Sequence, residues 1–279
     1  MVVLSYGQIT HFRTFGFVVL RGLLRAGETA GLTGEVTDAL TEAFGGLGTD
    51  TDPDGLGGIR GDYLPLSVDR APISQALIAD DQRLFQGAGH LLGCLVVPSA
   101  PVATCFTSNA DWHTDQGPDI GGVKFLAHLQ ARAADTGALR VVPGSHEPGF
   151  ARRIAGYQGG DPAEQGFDGG YGWPVPHVAL ATEPGDVIAF DVHLLHSSAG
   201  GSKRLAWTIQ YLPWPGLADR ARLRAVRDLI LDADYDDEDY DRDRWPAWRE
   251  WAAGARSVPS RDVAVSRLRL LGVLDQEPG

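Results

Sequence analysis

The sequence predicts an all-β core, a double-sheet jelly roll, flanked by helices on both sides. Three observations carry that expectation. Up to about residue 95, apolar residues recur mostly at helical spacing. From about residue 100 the chain changes to short strands broken by Gly and Pro, with none of the strand–helix alternation that a parallel α/β sheet needs. From Gly216 onward it turns helical and charged again. At 279 residues this fits a single domain over 1–279, with a helical part over about 1–95, the barrel over about 96–212 and a helical part over 213–279.

In order, Ser5-Tyr6-Gly7-Gln8 has the form of a capping box, with Ile9 and Phe12 opening the apolar face of a short helix. Gly16 can end it, and Phe17 to Leu20 reads as a strand. Leu32, Val36, Ala39, Leu40 and Ala43 predict a second helix that stops at Gly45-Gly46. Residues 45–62, rich in Gly and Asp without periodicity, are expected to form a lid or a disordered loop. Ile73 to Leu92 suggests one or two further helices before a strand at Cys94 to Val97. Strands are then expected at Pro101 to Thr107, Val123 to Leu129, Ala138 to Val142, Asp186 to Asp191 and Arg204 to Tyr211. Pro143-Gly144 is a turn, and 149–173 is a Gly-rich insertion. The acidic run from Asp232 to Asp243 reads as a solvated face or loop.

Apolar residues at 43% and charged residues at 22% are ordinary for a chain that buries a large core. A net charge of −12 argues against nucleic acid and anionic membrane surfaces as partners. Cys94 and Cys105 provide no disulfide framework and no zinc spacing. With no basic and apolar signal segment and no run of membrane-spanning length, a cytoplasmic protein acting on a small molecule is expected.

The stretch that carries chemistry is Asp111-Trp112-His113-Thr114-Asp115. Two ligands at i and i+2 near a strand end can face one cavity. With a second His from elsewhere, the pair would make the two-histidine, one-carboxylate triad of non-haem Fe(II) oxygenases, which leaves coordination positions open. Alone the pair is weak, since 8 His and 36 acidic residues in 279 give roughly one such match by chance. His193 and His196 compete for the third place, and strand parity alone does not choose between them. Asp111 is read as a turn residue, His146 and His90 as structural, and Trp112 as a core or wall aromatic. His11 and His177 carry no signal. His128 either lines the pocket or is a hydrogen-bonded core histidine.

The ordered set of motifs resembles the phytanoyl-CoA hydroxylase-like family of Fe(II)/2-oxoglutarate dioxygenases. It rests on His113-Thr114-Asp115, on Thr136 through His146, on Gly185 to Phe190 leading to Leu194-Leu195-His196-Ser197-Ser198, and on Arg204-Leu205-Ala206-Trp207. The resemblance covers about 5–212 and implies a double-stranded β-helix of the cupin-like kind. It implies that His113, Asp115 and His196 hold iron, His196 being favoured over His193 by its distance from Gly185-Asp186. It implies that Arg204 binds the distal carboxylate of 2-oxoglutarate. A guanidinium matches a carboxylate bidentately, although a short loop before it leaves Lys203 as the competing residue.

The implied cofactors are Fe(II), 2-oxoglutarate and O2, with succinate and CO2 released as a substrate is oxidised. In halogenating relatives a small residue replaces the carboxylate, so the intact Asp115 favours hydroxylation or a related desaturation or cyclisation. Two rival readings are a cupin-type metal enzyme that does not use 2-oxoglutarate and a non-catalytic small-molecule-binding barrel. The first offers no reason for Arg204, and the second has no use for three convergent ligands. Substrate contacts are expected from loops 45–66, 149–173 and 213–250, and a substrate from bacterial secondary metabolism is the expectation.

Overall fold

The capping box forms as the sequence predicts. Gln8 N–H donates to Ser5 Oγ at 3.2 Å and Ser5 N–H donates back to Gln8 Oε1 at 2.8 Å, starting α1 (Tyr6–Phe15). Gly16 ends it at φ 82°, a left-handed conformation that glycine adopts without strain. Then come β1 (Phe17–Leu20) and α2 (Ala26–Phe44), whose Leu32, Val36, Ala39 and Leu40 are buried. The computed structural model describes residues 4–47, 61–66, 71–107, 109–115, 120–150, 153, 175–231, 252 and 258–274. Most of the expected lid at 45–62, most of the insertion at 149–173 and the acidic run at 232–243 lie outside the described residues.

The remaining elements are β2 (Gly61–Pro65), α3 (Pro72–Gln75), a π-helical turn (Ala76–Asp80), α4 (Gln82–Leu92), β3 (Val96–Pro98), β4 (Val102–Phe106) and β5 (Ala110–His113). They continue with β6 (Val123–His128), β7 (Thr136–Val141), β8 (Val178–Leu180), β9 (Val187–Asp191), β10 (His196–Gly200), β11 (Arg204–Pro213), α5 (Arg220–Leu231) and α6 (Pro259–Leu271). Two differences from the sequence reading matter, and one agreement. Gly61 and Asp62 begin a strand rather than ending a loop, because β2 completes the edge of the sheet against β4. Asp111 sits within β5, not in a turn. The strand expected at Asp186 to Asp191 does end at Asp191, but the chain then turns before β10, so His193 and His196 do not share one continuous strand.

Among the described residues the strands form two antiparallel sheets. The larger runs β1-β9-β6-β11-β4-β2, with β3 also paired to β11, and the smaller runs β5-β10-β7-β8. Alternation along β11 and β6 sorts residues into two cores. Leu205, Trp207, Ile209 and Tyr211, with Val123, Phe125 and Ala127, join the main cluster, to which α2 and α4 also contribute buried residues. Leu126 and Ala206, together with Ile188 and Phe190 of β9, pack with Leu139, Val141 and Leu180 of the smaller sheet. The helix layer is also fastened by polar bonds. Trp207 Nε1 donates to Ser74 Oγ at 2.7 Å and Tyr211 OH donates to Ile78 O at 2.6 Å. Both acceptors belong to α3 and its π-helical continuation, so Trp207→Ala would remove a bond as well as about 3–5 kcal/mol of packing.

Candidate metal centre

His113 is the last residue of β5 and His196 the first of β10, and the two strands pair with these residues directly opposite. Directly opposed residues on antiparallel strands are near neighbours on one face, and here the imidazole centroids lie 4.2 Å apart. Asp115 follows β5 by two residues, where its backbone N–H donates to Val192 O at 2.9 Å. Its Oδ1 stands 3.8 Å from His113 Nε2 and 3.6 Å from His196 Nε2. One donor atom from each of the three residues lies within 4.8 Å of the others. Two imidazoles and one carboxylate, converging with an open side, are a donor set suited to Fe(II).

Motif residues outside the triad prepare this geometry. Leu195 N–H donates to Ser145 Oγ at 2.8 Å, and Val142 N–H donates to Leu195 O at 3.0 Å. The Pro143-Gly144-Ser145 turn therefore pins the approach to His196. Asp186 accepts from Gly22 N at 2.8 Å, Glu183 N at 3.0 Å and Arg21 Nη1 at 2.7 Å, tying the start of β9 to the end of β1. His146 Nε2 lies 3.3 Å from Arg13 O, and a Cβ on Gly16 would meet its ring at 2.6 Å; its role is structural, as expected.

Protonation favours ligation. His196 Nδ1 lies 2.8 Å from Leu194 O. A carbonyl only accepts, so Nδ1 carries the proton and Nε2 keeps its lone pair for the centre. Burial pushes the His196 imidazolium down to about 4, so the ring is neutral at pH 7. Burial alone would raise the Asp115 carboxyl, but Lys124, ahead of His196 and His113, holds it below the usual carboxylate range.

The three residues line a cavity of about 490 Å³ that also includes Arg204, His128, Lys124, Tyr63 and Phe106, with Leu126, Leu139, Phe190 and Ala206 as apolar wall. Arg204 is 3% exposed. Its Nη1 donates to Gly200 O at 3.0 Å, and its guanidinium carbon sits 5.6 Å over the Phe106 ring. Gly137, at φ 89°, makes room for it, since a Cβ there would come within 2.3 Å of Arg204 Cδ. Burial, with Arg132 nearby, lowers the guanidinium to about 10, and it stays charged at neutral pH. Lys203 is exposed. Of the two basic neighbours, Arg204 is the one that enters the cavity.

His128 fulfils both of its expected roles. It lines the cavity, and its Nδ1 lies 2.9 Å from Thr182 Oγ1, while burial and then Arg132 and Arg204 press its pKa down to about 3. His193 occupies the turn after β9, its Nδ1 3.4 Å from Asp191 Oδ1. His90 is exposed near the end of α4. Trp112 packs beside Val142 and Leu195, with its ring 5.5 Å from that of His177. Sequence reasoning missed Lys124 and Tyr63 as cavity residues. Lys124 carried one signal: it is one of only two lysines in the chain.

No curated protein sequence matches the chain. Among solved structures it is similar to HygX from Streptomyces hygroscopicus with nickel, 2-oxoglutarate and hygromycin B bound, at 19% identity and TM-score 0.54, covering 75% of this chain and 88% of that one. It is similar to EctD from S. alaskensis with bound Fe, at 24% identity and TM-score 0.54, over 76% and 77% of the two chains. The epimerase SnoN in complex with Fe3+, alpha ketoglutarate and nogalamycin RO is 18% identical with TM-score 0.54, over 74% and 82%. These likenesses establish the jelly-roll fold. The family model for phytanoyl-CoA dioxygenase (PhyH) matches residues 12–204, more than half of the chain. With that match over the strands that assemble the His-Asp-His centre, the chain belongs to the phytanoyl-CoA dioxygenase (PhyH) family and is an Fe(II)- and 2-oxoglutarate-dependent oxygenase.

Proposed function

We propose that His113, Asp115 and His196 hold the Fe(II), that Arg204 receives the distal carboxylate of 2-oxoglutarate, and that the enzyme hydroxylates a small molecule of bacterial secondary metabolism. The observation that carries this reading is the placement of the triad and of a buried guanidinium in one cavity. When bound, Fe(II) with 2-oxoglutarate and O2 supplies the oxidising chemistry, releasing succinate and CO2 as the substrate is oxidised.

The chain's own residues supply binding, orientation and shielding. His196 offers Nε2 because Leu194 O engages its other nitrogen. Asp115 is ionised and contributes the negative charge that a divalent ion requires. Arg204 is buried in the cavity wall and charged, and its planar guanidinium matches a carboxylate bidentately. His128 is neutral beside it and so does not compete for the carboxylate. The apolar wall of Leu126, Leu139, Phe190 and Ala206 keeps water from the reacting centre. Hygromycin B in HygX and nogalamycin RO in SnoN support a small-molecule natural product as the substrate class. The intact Asp115 supports hydroxylation over halogenation.

The test is succinate formation from 2-oxoglutarate with Fe(II) and ascorbate. Wild type should form succinate and Asp115→Ala should not; full turnover without that carboxylate would overturn the triad. In parallel, His196→Ala should lose iron while His193→Ala keeps it, and the reverse would transfer the third ligand to His193.

A further inference from the structure

The two oxygens of Asp115 are divided between two neighbourhoods. Oδ1 faces the imidazoles, 3.8 Å from His113 Nε2 and 3.6 Å from His196 Nε2, whereas Oδ2 lies 3.1 Å from Lys124 Nζ. Lys124 belongs to β6 of the larger sheet, on the inward face with Leu126 and His128, while Asp115 follows β5 of the smaller one. The contact therefore crosses the cavity. The Asp115 side chain is 12% exposed and that of Lys124 is 28% exposed, so the pair is partly withdrawn from solvent screening.

We propose that Lys124 is a positioning residue that holds the outer oxygen of Asp115, so that a metal is offered one carboxylate oxygen and keeps an open position for 2-oxoglutarate. This rests on the metal-centre reading above. A carboxylate can chelate a cation through both oxygens, and doing so here would fill a position that the facial triad must leave vacant. Asp115 is already anchored by its backbone N–H to Val192 O, which leaves its side-chain rotation as the freedom to be removed. The choice of lysine fits this role. The chain uses arginine almost everywhere and lysine at only two positions. A guanidinium fork tends to take both oxygens of a carboxylate, whereas an ammonium is a point charge that can hold one.

Charge sets the sign of the effect. A cation beside the centre repels a divalent metal and attracts a dianionic co-substrate, so Lys124 does not serve to tighten metal binding. Two titrations of the full-length protein, both without oxygen, test the proposal. Fe(II) affinity is measured by competition with a chelator. Binding of 2-oxoglutarate to the Fe(II)-loaded protein is followed by the charge-transfer absorption of the metal–2-oxo acid chelate. Lys124→Met should bind Fe(II) as tightly as wild type or more tightly, yet need about tenfold more 2-oxoglutarate or beyond to form the chelate. Lys124→Arg keeps the charge but not the one-oxygen contact, and should also be weakened.

Loss of Fe(II) from Lys124→Met would make Lys124 a metal-retention residue and overturn the proposal. An unchanged chelate titration in Lys124→Met would show that the lysine does not keep a position open for 2-oxoglutarate, and a wild-type titration in Lys124→Arg would show that charge suffices. Either result overturns it. Wild type that takes up Fe(II) but never forms the chelate would overturn the co-substrate reading itself, and this proposal with it, and that failure is seen before any variant is made.

Discussion

Arg204 and Lys203 are adjacent in sequence but differ in exposure: one is 3% exposed at the head of β11, the other is exposed in the preceding turn. Arg204→Ala should raise the apparent 2-oxoglutarate requirement by one to several orders of magnitude. Truncating one side of a buried charge pair costs about 2–5 kcal/mol. Lys203→Ala should leave the requirement close to wild type, and a larger effect there would mean that the anion binds elsewhere. His128 makes a prediction about stability rather than binding. Its folded pKa of about 3 lies below the ordinary 6.5, so the unfolded chain binds a proton that the folded chain refuses. Stability is then lost as pH falls from about 6.5 towards 3, with a slope of about 1.4 kcal/mol per pH unit from this residue. His128→Gln removes this contribution, so acid unfolding of wild type should be steeper than that of the variant. Equal slopes by urea denaturation across this range would show that His128 is not buried neutral.

At the scale of elements, the barrel works because neighbouring strands deliver side chains to one space from different sheets. β10 brings His196 against His113 of β5 by register, while β11 and β6 send alternate residues to the helix layer and to the cavity. β7 contributes a gap rather than a group. At Gly137, φ 89° and a hypothetical Cβ 2.3 Å from Arg204 Cδ exclude a side chain twice over. Gly137→Ala should destabilise the fold by roughly 1–3 kcal/mol through backbone strain and should also weaken 2-oxoglutarate binding by displacing Arg204. Thermal unfolding and a co-substrate titration separate the two effects. A stable variant with unchanged co-substrate binding would show that β7 and the arginine adjust independently.

For the whole molecule, the cavity lies between two sheets, so its ligands bridge elements that separate on unfolding. Ni(II) together with 2-oxoglutarate, a pair that does not turn over, should raise Tm. Ligand at a hundred times its Kd adds about 2.7 kcal/mol of stability, and a chelator should remove the gain. Either component alone should give less, since the triad and Arg204 contribute to one shared site. A Tm indifferent to both would mean that the site does not bind them in the folded protein. Among the described residues no helix is long and apolar enough to cross a membrane.

What the sequence by itself determined is local or ordered along the chain. Ser5 with Gln8 specifies a helix start because both partners lie within one turn. The alternation in β6 and β11 specifies which residues face together, and the ordered motifs specify His113, Asp115, His196 and Arg204 as candidates. What only the tertiary structure decided depends on contacts between distant segments. Which of His193 and His196 meets His113 is a matter of pairing, not of parity: β10 sets His196 opposite His113, and His193 is left in the turn after β9. That Arg204 and not Lys203 lines the cavity follows from the pairing of β11 with β4, which sets Arg204 opposite Phe106. β2 was illegible because an edge strand is specified largely by its partner. Lys124 was illegible for the same physical reason at a single residue: its partner Asp115 reaches it only across the cavity, after two sheets have closed on each other.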